Sequence, residues 1–197
     1  MVLAAAEEPM DRGHQERIAP LVQQVMAEAG LAFADLGRIG VTVGPGSFTG
    51  LRVALSFART LALALGIDCV GFTSLAALHA SQPMLGVSIV AIPSRQGQSY
   101  VEIFNDGVSI SAPALLDESD IATRLADVWP GGGLNWVGSG AAALVGLAPG
   151  QVWPRQWPSA AALLTLTLQA LPTTSRPRPL YLRAPDARTI TERQARG

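Results

Sequence analysis

The chain contains no lysine: all fourteen of its basic residues are arginines, set against fifteen acidic residues for a net charge of −1. Proteins that grip nucleic acid by neutralising phosphates carry a basic stripe. Here the arginines are scattered until the C-terminal run Arg176, Arg178, Arg183 and Arg188, so tight RNA binding by the chain alone is not expected. A single cysteine, Cys69, excludes an internal disulfide. Its place in an apolar run suits a reducing compartment, and the cytoplasm is the expected location. The two histidines, His14 and His79, are far apart in sequence. No segment reads as a signal peptide. The most apolar run, Leu51 to Leu65, contains Arg52 and Arg59 and reads as too short and too charged to cross a bilayer.

What the sequence has is apolar residues, 49% of 197, enough to bury a core in one domain or two small ones. Ile18, Leu21, Val22, Val25, Met26 and Ala29 recur at helical spacing ahead of Gly30, a C-cap residue, with Pro20 limiting the regular start. Ile39 to Val43 reads as a strand, followed by the loop Gly44, Pro45, Gly46, Ser47, Phe48, Thr49, Gly50, a helix to Leu65, and a second strand from Asp68 to Phe72. That is a βαβ unit with parallel strands. A short helix capped by Thr73 or Ser74 runs through Leu78. Gly86 to Ile92, Ser99 to Phe104 and Val108 to Ser111 read as strands, with Asn105-Asp106-Gly107 turning between the last two. Asp117 to Val128 reads as a helix, Trp136 to Gly138 as a strand, Ser159 to Leu171 as a helix, and the proline-rich 176–182 as an extended tail. The change from parallel to antiparallel patterning suggests a boundary near residue 80, dividing 1–80 from 81–197.

A glycine-rich loop between a strand and a helix raises a phosphate-binding reading. Gly44, Gly46 and Gly50 lack the dinucleotide spacing, no lysine follows, and Pro45 removes a donor, so a structural turn is favoured. Ser47 and Ser139 lack the surroundings of an activated nucleophile, and Gly138-Ser139-Gly140-Ala141 reads as a strand-to-helix turn.

The helix after the loop is apolar around most of its circumference, with Arg52, Ser56, Arg59 and Thr60 on a narrower arc that also holds Leu63. A helix on one sheet needs one apolar stripe. The surplus is either buried inside the same domain or covered by a partner, for which Arg52, Leu55, Arg59, Ala62 and Leu63 are the contact candidates, together with the helix from Ile18 to Ala29.

The run from Gly44 to Arg52, the alanine-rich helix behind it, Val70-Gly71-Phe72-Thr73-Ser74-Leu75 and the ending Pro179-Leu180-Tyr181-Leu182-Arg183-Ala184-Pro185-Asp186 resemble the signature of the TsaB (YeaZ) family. The resemblance implies an α/β, actin-like (RNase H-like, ASKHA) fold of mixed sheets flanked by helices. It also implies a non-catalytic subunit that pairs as a heterodimer with the catalytic subunit TsaD, works with the ATPase TsaE, and serves threonylcarbamoyl transfer to an adenosine of tRNA. A homodimer through the same helices is the other association considered, and tRNA is met only through the complex. No cofactor is implied. TsaD carries two metal-holding histidines four apart, and the comparable positions here are Ser74 and Leu78. His79 stands alone, so no metal site and no catalytic residue is assigned. Family members often read Asp-Ala-Arg-Arg-Gly-Glu where this chain has Pro93-Ser94-Arg95-Gln96-Gly97-Gln98. The competing readings are a stand-alone glycoprotease-like hydrolase or nucleotide-binding enzyme of the actin-like superfamily, or a non-functional fragment. Family members also open with a strand and a hairpin before a segment resembling Val2-Leu3-Ala4-Ala5. With the implied order 3-2-1-4-5, the first two strands of the first sheet are expected to be missing and residues 2–5 to be its third.

Overall fold

The computed structural model describes residues 1–8, 10, 13–82, 84–95, 97–129, 131–171 and 175–183. Helix α1 (His14–Ala29) ends at Gly30, whose left-handed conformation lets its N–H reach back to the carbonyls of Ala27 and Met26. It begins six residues before Pro20, earlier than the sequence suggested. Pro20 sits inside α1 and forfeits one internal hydrogen bond. Its exposed position lets water satisfy the carbonyl left over.

Strand β1 (Arg38–Thr42), helix α2 (Phe48–Leu65) and strand β2 (Asp68–Phe72) form the expected βαβ unit, with β1 and β2 parallel from Arg38↔Asp68 to Thr42↔Phe72. Residues 1–8 form no strand, so among the described residues this sheet has two members. Helix α3 (Ser74–Ala80) is capped by Thr73, whose hydroxyl accepts from the Ala76 N–H at 2.8 Å.

The second sheet has five strands, β3 (Val87–Pro93), β4 (Ser99–Asn105), β5 (Val108–Leu116), β6 (Leu134–Val137) and β7 (Gln151–Trp153), in the order β5-β4-β3-β6-β7. The first three are antiparallel, while β3, β6 and β7 are parallel. Numbered from β3 this is the order 3-2-1-4-5, and β1-α2-β2 repeats the β6-α5-β7 crossover, with α5 at Ala141–Leu144. The fold is the α/β actin-like, RNase H-like type. Strand β5 runs five residues past Ser111, through Pro113. It lies at the sheet edge with a register shift between Val101 and Ile103, where a proline costs no interior ladder bond.

Helix α4 (Glu118–Val128) and α5 cover one face of the second sheet, and their core includes the fully buried Trp136, Ile89 and Ile103. Burying each such aliphatic side chain stabilises by roughly 1.5–3 kcal/mol. The Trp136 indole N–H is satisfied by the Ala148 carbonyl at 3.1 Å. On the other face α3 packs Leu75 and Leu78 against Val90, Phe104 and Val137.

Helix α6 (Ala160–Gln169) then returns to the first sheet and packs on β1 and β2. The Arg38 guanidinium holds its C-terminal end by donating to the carbonyls of Thr167 (3.2 Å) and Ala170 (2.7 Å) while pairing with Asp68. The tail follows it home. Residues 175–183 are extended, as the prolines require, and the Leu180 N–H donates to the Val43 carbonyl at 2.8 Å. Ala184, Pro185, Asp186, Arg188 and Gln96 lie outside the described residues.

Candidate partner-docking site

Helix α2 starts three residues earlier than the sequence reading placed it, so Thr49 and Gly50 belong to its first turn rather than to the loop. The Ser47 hydroxyl accepts from the Gly50 N–H at 3.4 Å and caps the helix. Gly44 and Pro45 are buried, and Gly44, at φ 109°, is packed by Leu51. In this arrangement the loop works as a turn and cap, with the serine hydroxyl engaged by its own helix.

The side chains of α2 divide sharply. Leu51, Leu55, Ala58 and Ala62 are buried, the last three in one cluster with Val41 and Cys69 of the β1-β2 sheet. Leu55 and Ala62 are each 3% exposed. The structure therefore corrects two of the five contact candidates: an apolar stripe was needed for the sheet, and Ala62 belongs to it. Arg52, Ser56, Thr60 and Leu63 face outward and Arg59 is half-buried, which is the arc the helical wheel set aside. Leu63 is 62% exposed and Phe48, at the start of the helix, 50%. By length and composition alone α2 is long and apolar enough to cross a membrane. Its packing on β1, with α1 alongside, makes it the flanking helix of a sheet.

Helix α1 lies against α2 with the residues its periodicity marked: Met26 is buried and Ile18, Leu21, Val22, Val25 and Ala29 are half-buried. Between α1, α2 and the Trp157-Pro158 turn is an apolar cleft of about 310 Å³, floored by Ile18, Leu21, Val53 and Ala54.

Along the outward arc of α2 the tail forms the second wall of a groove of about 550 Å³, lined by Arg52, Arg59, Leu63, Arg176, Pro179 and Tyr181. Leu55 contributes to its floor. Tyr181 packs on Phe48 with ring centroids 5.3 Å apart, and the Arg52 guanidinium lies 5.0 Å from the Phe48 ring centre. Sequence reading missed this wall, because only the folded tail brings Arg176 and Tyr181 beside α2. The proline-fixed extension of 176–182 was the available signal.

Two residues with reactive side chains, His79 and Cys69, are buried. His79 stacks on Phe104 at 4.3 Å, its Nδ1 has no partner, and burial lowers its pKa, so the ring is held neutral. Among the described residues no three of His, Cys, Asp and Glu come together as metal ligands. Burial raises the Cys69 thiol pKa, partly offset by Arg59, which keeps it protonated and unreactive. Ser139 lies in the turn between β6 and α5, as its glycine-rich surroundings suggested.

The family model for tRNA N6-adenosine threonylcarbamoyltransferase, TsaD, matches residues 7–104. An uncharacterised protein of Mycobacterium leprae is 35% identical over 182 residues, covering 91% of this chain and 47% of its own length. The tRNA threonylcarbamoyladenosine biosynthesis protein TsaB of Escherichia coli is 32% identical over 92 residues, 45% of this chain and 40% of its own. The match thus spans about half the length of the Mycobacterium leprae protein, and 79% of the length of an uncharacterised protein of Mycobacterium tuberculosis that is 35% identical over 182 residues. The solved structure of YeaZ from Pseudomonas aeruginosa superposes with a TM-score of 0.67 at 26% identity, over 81% of this chain and 77% of that one.

Proposed function

The chain belongs to the TsaB (YeaZ) family, and from that premise we propose that it is the non-catalytic subunit of a cytoplasmic TsaD-containing complex that makes threonylcarbamoyladenosine in tRNA. The outward face of α2, with α1 beside it, docks on the TsaD-type subunit. The observation that carries this is the division of α2: one stripe is used up by its own sheet while Leu63 and half of Phe48 stay in solvent. An exposed leucine flanked by arginines on a helix that also has a buried stripe is the pattern of a surface awaiting a partner.

The non-catalytic reading is supported by chemistry. Where the catalytic relative is expected to hold paired histidines, this chain has Ser74 and a Leu78 that is 1% exposed in an apolar cluster. The neighbouring His79 is stacked on Phe104 and neutral. Nothing at that turn offers a ligand pair or a base with access to substrate. TsaE-type ATPase and tRNA join through the complex.

The test is reconstitution. Threonylcarbamoyladenosine formation on tRNA is measured with the same genome's TsaD-type subunit, TsaE-type ATPase and donor, with and without this chain. Modification that depends on the chain, with no turnover by the chain alone, supports the proposal. Modification that proceeds equally without it contradicts it.

A further inference from the structure

The second sheet has blunted edges. Strand β5 carries Pro113 and a register shift, and β7 is only three residues long. Strand β1 has neither device: it runs in regular register from Arg38 to Thr42, and among the described residues only β2 pairs with it. The Val43 N–H donates to the Phe72 carbonyl, which sets the alternation. Ile39 and Val41 therefore also turn their backbone groups to β2, while Arg38, Gly40 and Thr42 turn theirs to the open side. No described residue accepts from the Gly40 or Thr42 N–H.

The helix over that edge is also left uncovered. A Cβ on Gly40 would collide with the Thr167 side chain, which places α6 on this face of β1. Helix α3 packs on α6 as well, so the buried arc from Thr167 to Ala162 faces the sheet and α3. At about 100° per residue, Leu164 and Leu168 lie roughly 60° and 100° round from Thr167 on the opposite flank, beside the open edge. They are 43% and 78% exposed, and Leu171, just beyond the helix, 84%.

We propose that this edge is a dimer interface: β1 pairs antiparallel with β1 of a second copy about a two-fold axis at Gly40, joining the two small sheets into one. The strand is self-complementary in that register. Gly40 faces Gly40 and Arg38 faces Thr42, so the outward residues of one copy meet those of the other and exchange about two hydrogen bonds per pair. The two Arg38 residues fall at opposite ends, about 13 Å apart at about 3.3 Å per residue, and each is already paired with its own Asp68. The same axis sets the two α6 helices side by side, leucine flank against leucine flank. A strand from an unlike chain would satisfy the backbone but leave the leucines in water, whereas a second copy covers both. The outward face of α2 takes no part in this contact.

The experiment follows the mass of the full chain by sedimentation over a wide concentration range, with backbone amide exchange read at Gly40 and Thr42. Wild type is compared with Leu168→Glu/Leu171→Glu, with Thr42→Pro, which removes an edge-facing N–H and spares the β2 ladder, and with Leu63→Glu on α2. Melting is recorded in dilute solution, where it reports the monomer. The expected result is a reversible wild-type dimer in which the two amides exchange slowly. The leucine pair and Thr42→Pro are each expected to weaken it about tenfold or more, with the leucine pair melting like wild type and Leu63→Glu dimerising like it. A wild type that stays monomeric overturns the proposal. So does a dimer lost in Leu63→Glu but kept in the leucine pair, which places the contact on α2. Slow exchange at Gly40 and Thr42 in the monomer also overturns it, because the chain then covers the edge itself.

Discussion

The Glu102 carboxylate on β4 accepts a hydrogen bond from the Thr73 hydroxyl at 2.8 Å, tying the end of the first sheet to the second. Its other oxygen accepts from Ser109 at 2.8 Å. Burial nevertheless raises the carboxyl pKa above 4.5, more than these two bonds lower it. Above 4.5 the folded state therefore binds more proton than the unfolded chain, and this group's contribution to stability falls as pH rises. Glu102→Gln keeps the tie without the charge. It is expected to melt no lower than wild type at pH 7, with any advantage shrinking on acidification. Melting temperature against pH for the two proteins checks this, and a lower-melting variant at neutral pH contradicts it.

His79 has the opposite dependence. Its depressed pKa means that the unfolded chain takes up a proton below about 6.5 while the folded ring resists, so stability is lost as pH falls. His79→Phe preserves a stacked ring against Phe104 and leaves no unpartnered nitrogen. The variant is expected to lose part of the acid destabilisation between neutral pH and 5. Identical acid melting profiles would contradict the assignment.

Gly71 on β2 gives the tail its seat. A Cβ at this position would come within 2.6 Å of both the Pro177 Cβ and the Val43 Cγ1, and Pro177 is buried there. Gly71→Ala is expected to cost about 1–3 kcal/mol by overpacking and to loosen the tail. Thermal melting with limited chymotryptic cleavage after Tyr181, which Leu182 follows, checks both effects. A variant as stable and as protease-resistant as wild type would contradict the seat.

Adjacent residues on α2 are expected to behave oppositely. Ala62→Glu forces a carboxylate into the cluster with Val41, Leu55 and Cys69 and is expected to cost on the order of 3 kcal/mol or more, seen as collapsed melting. Leu63→Glu changes a side chain in solvent, so its melt is expected to stay within about 0.5 kcal/mol of wild type.

Much of this was legible in the sequence because each signal was local. The periodicity of α1, the βαβ run, the turn at Asn105-Asp106-Gly107 and the cap at Thr73 or Ser74 all depend on neighbours a few residues away. What was not legible depended on distant contact. The α2 wheel showed a surplus of apolar circumference but could not say which residues the sheet would take, and Ala62 went to the core. The groove needed the tail to return to α2 from more than a hundred residues away. Strand β5 ran past Pro113 because it lies on an edge, which only the sheet order reveals. Glu102 gave no sequence signal, since a lone acidic residue in an apolar strand does not announce its hydroxyl partners.

The docking account is tested most directly by calorimetric titration of wild type and Leu63→Glu into the same genome's TsaD-type subunit. The account predicts saturable binding by wild type and a loss of about tenfold or more for Leu63→Glu, with both proteins melting alike. Equal affinity for the two, or no binding by the folded wild-type chain, would contradict it.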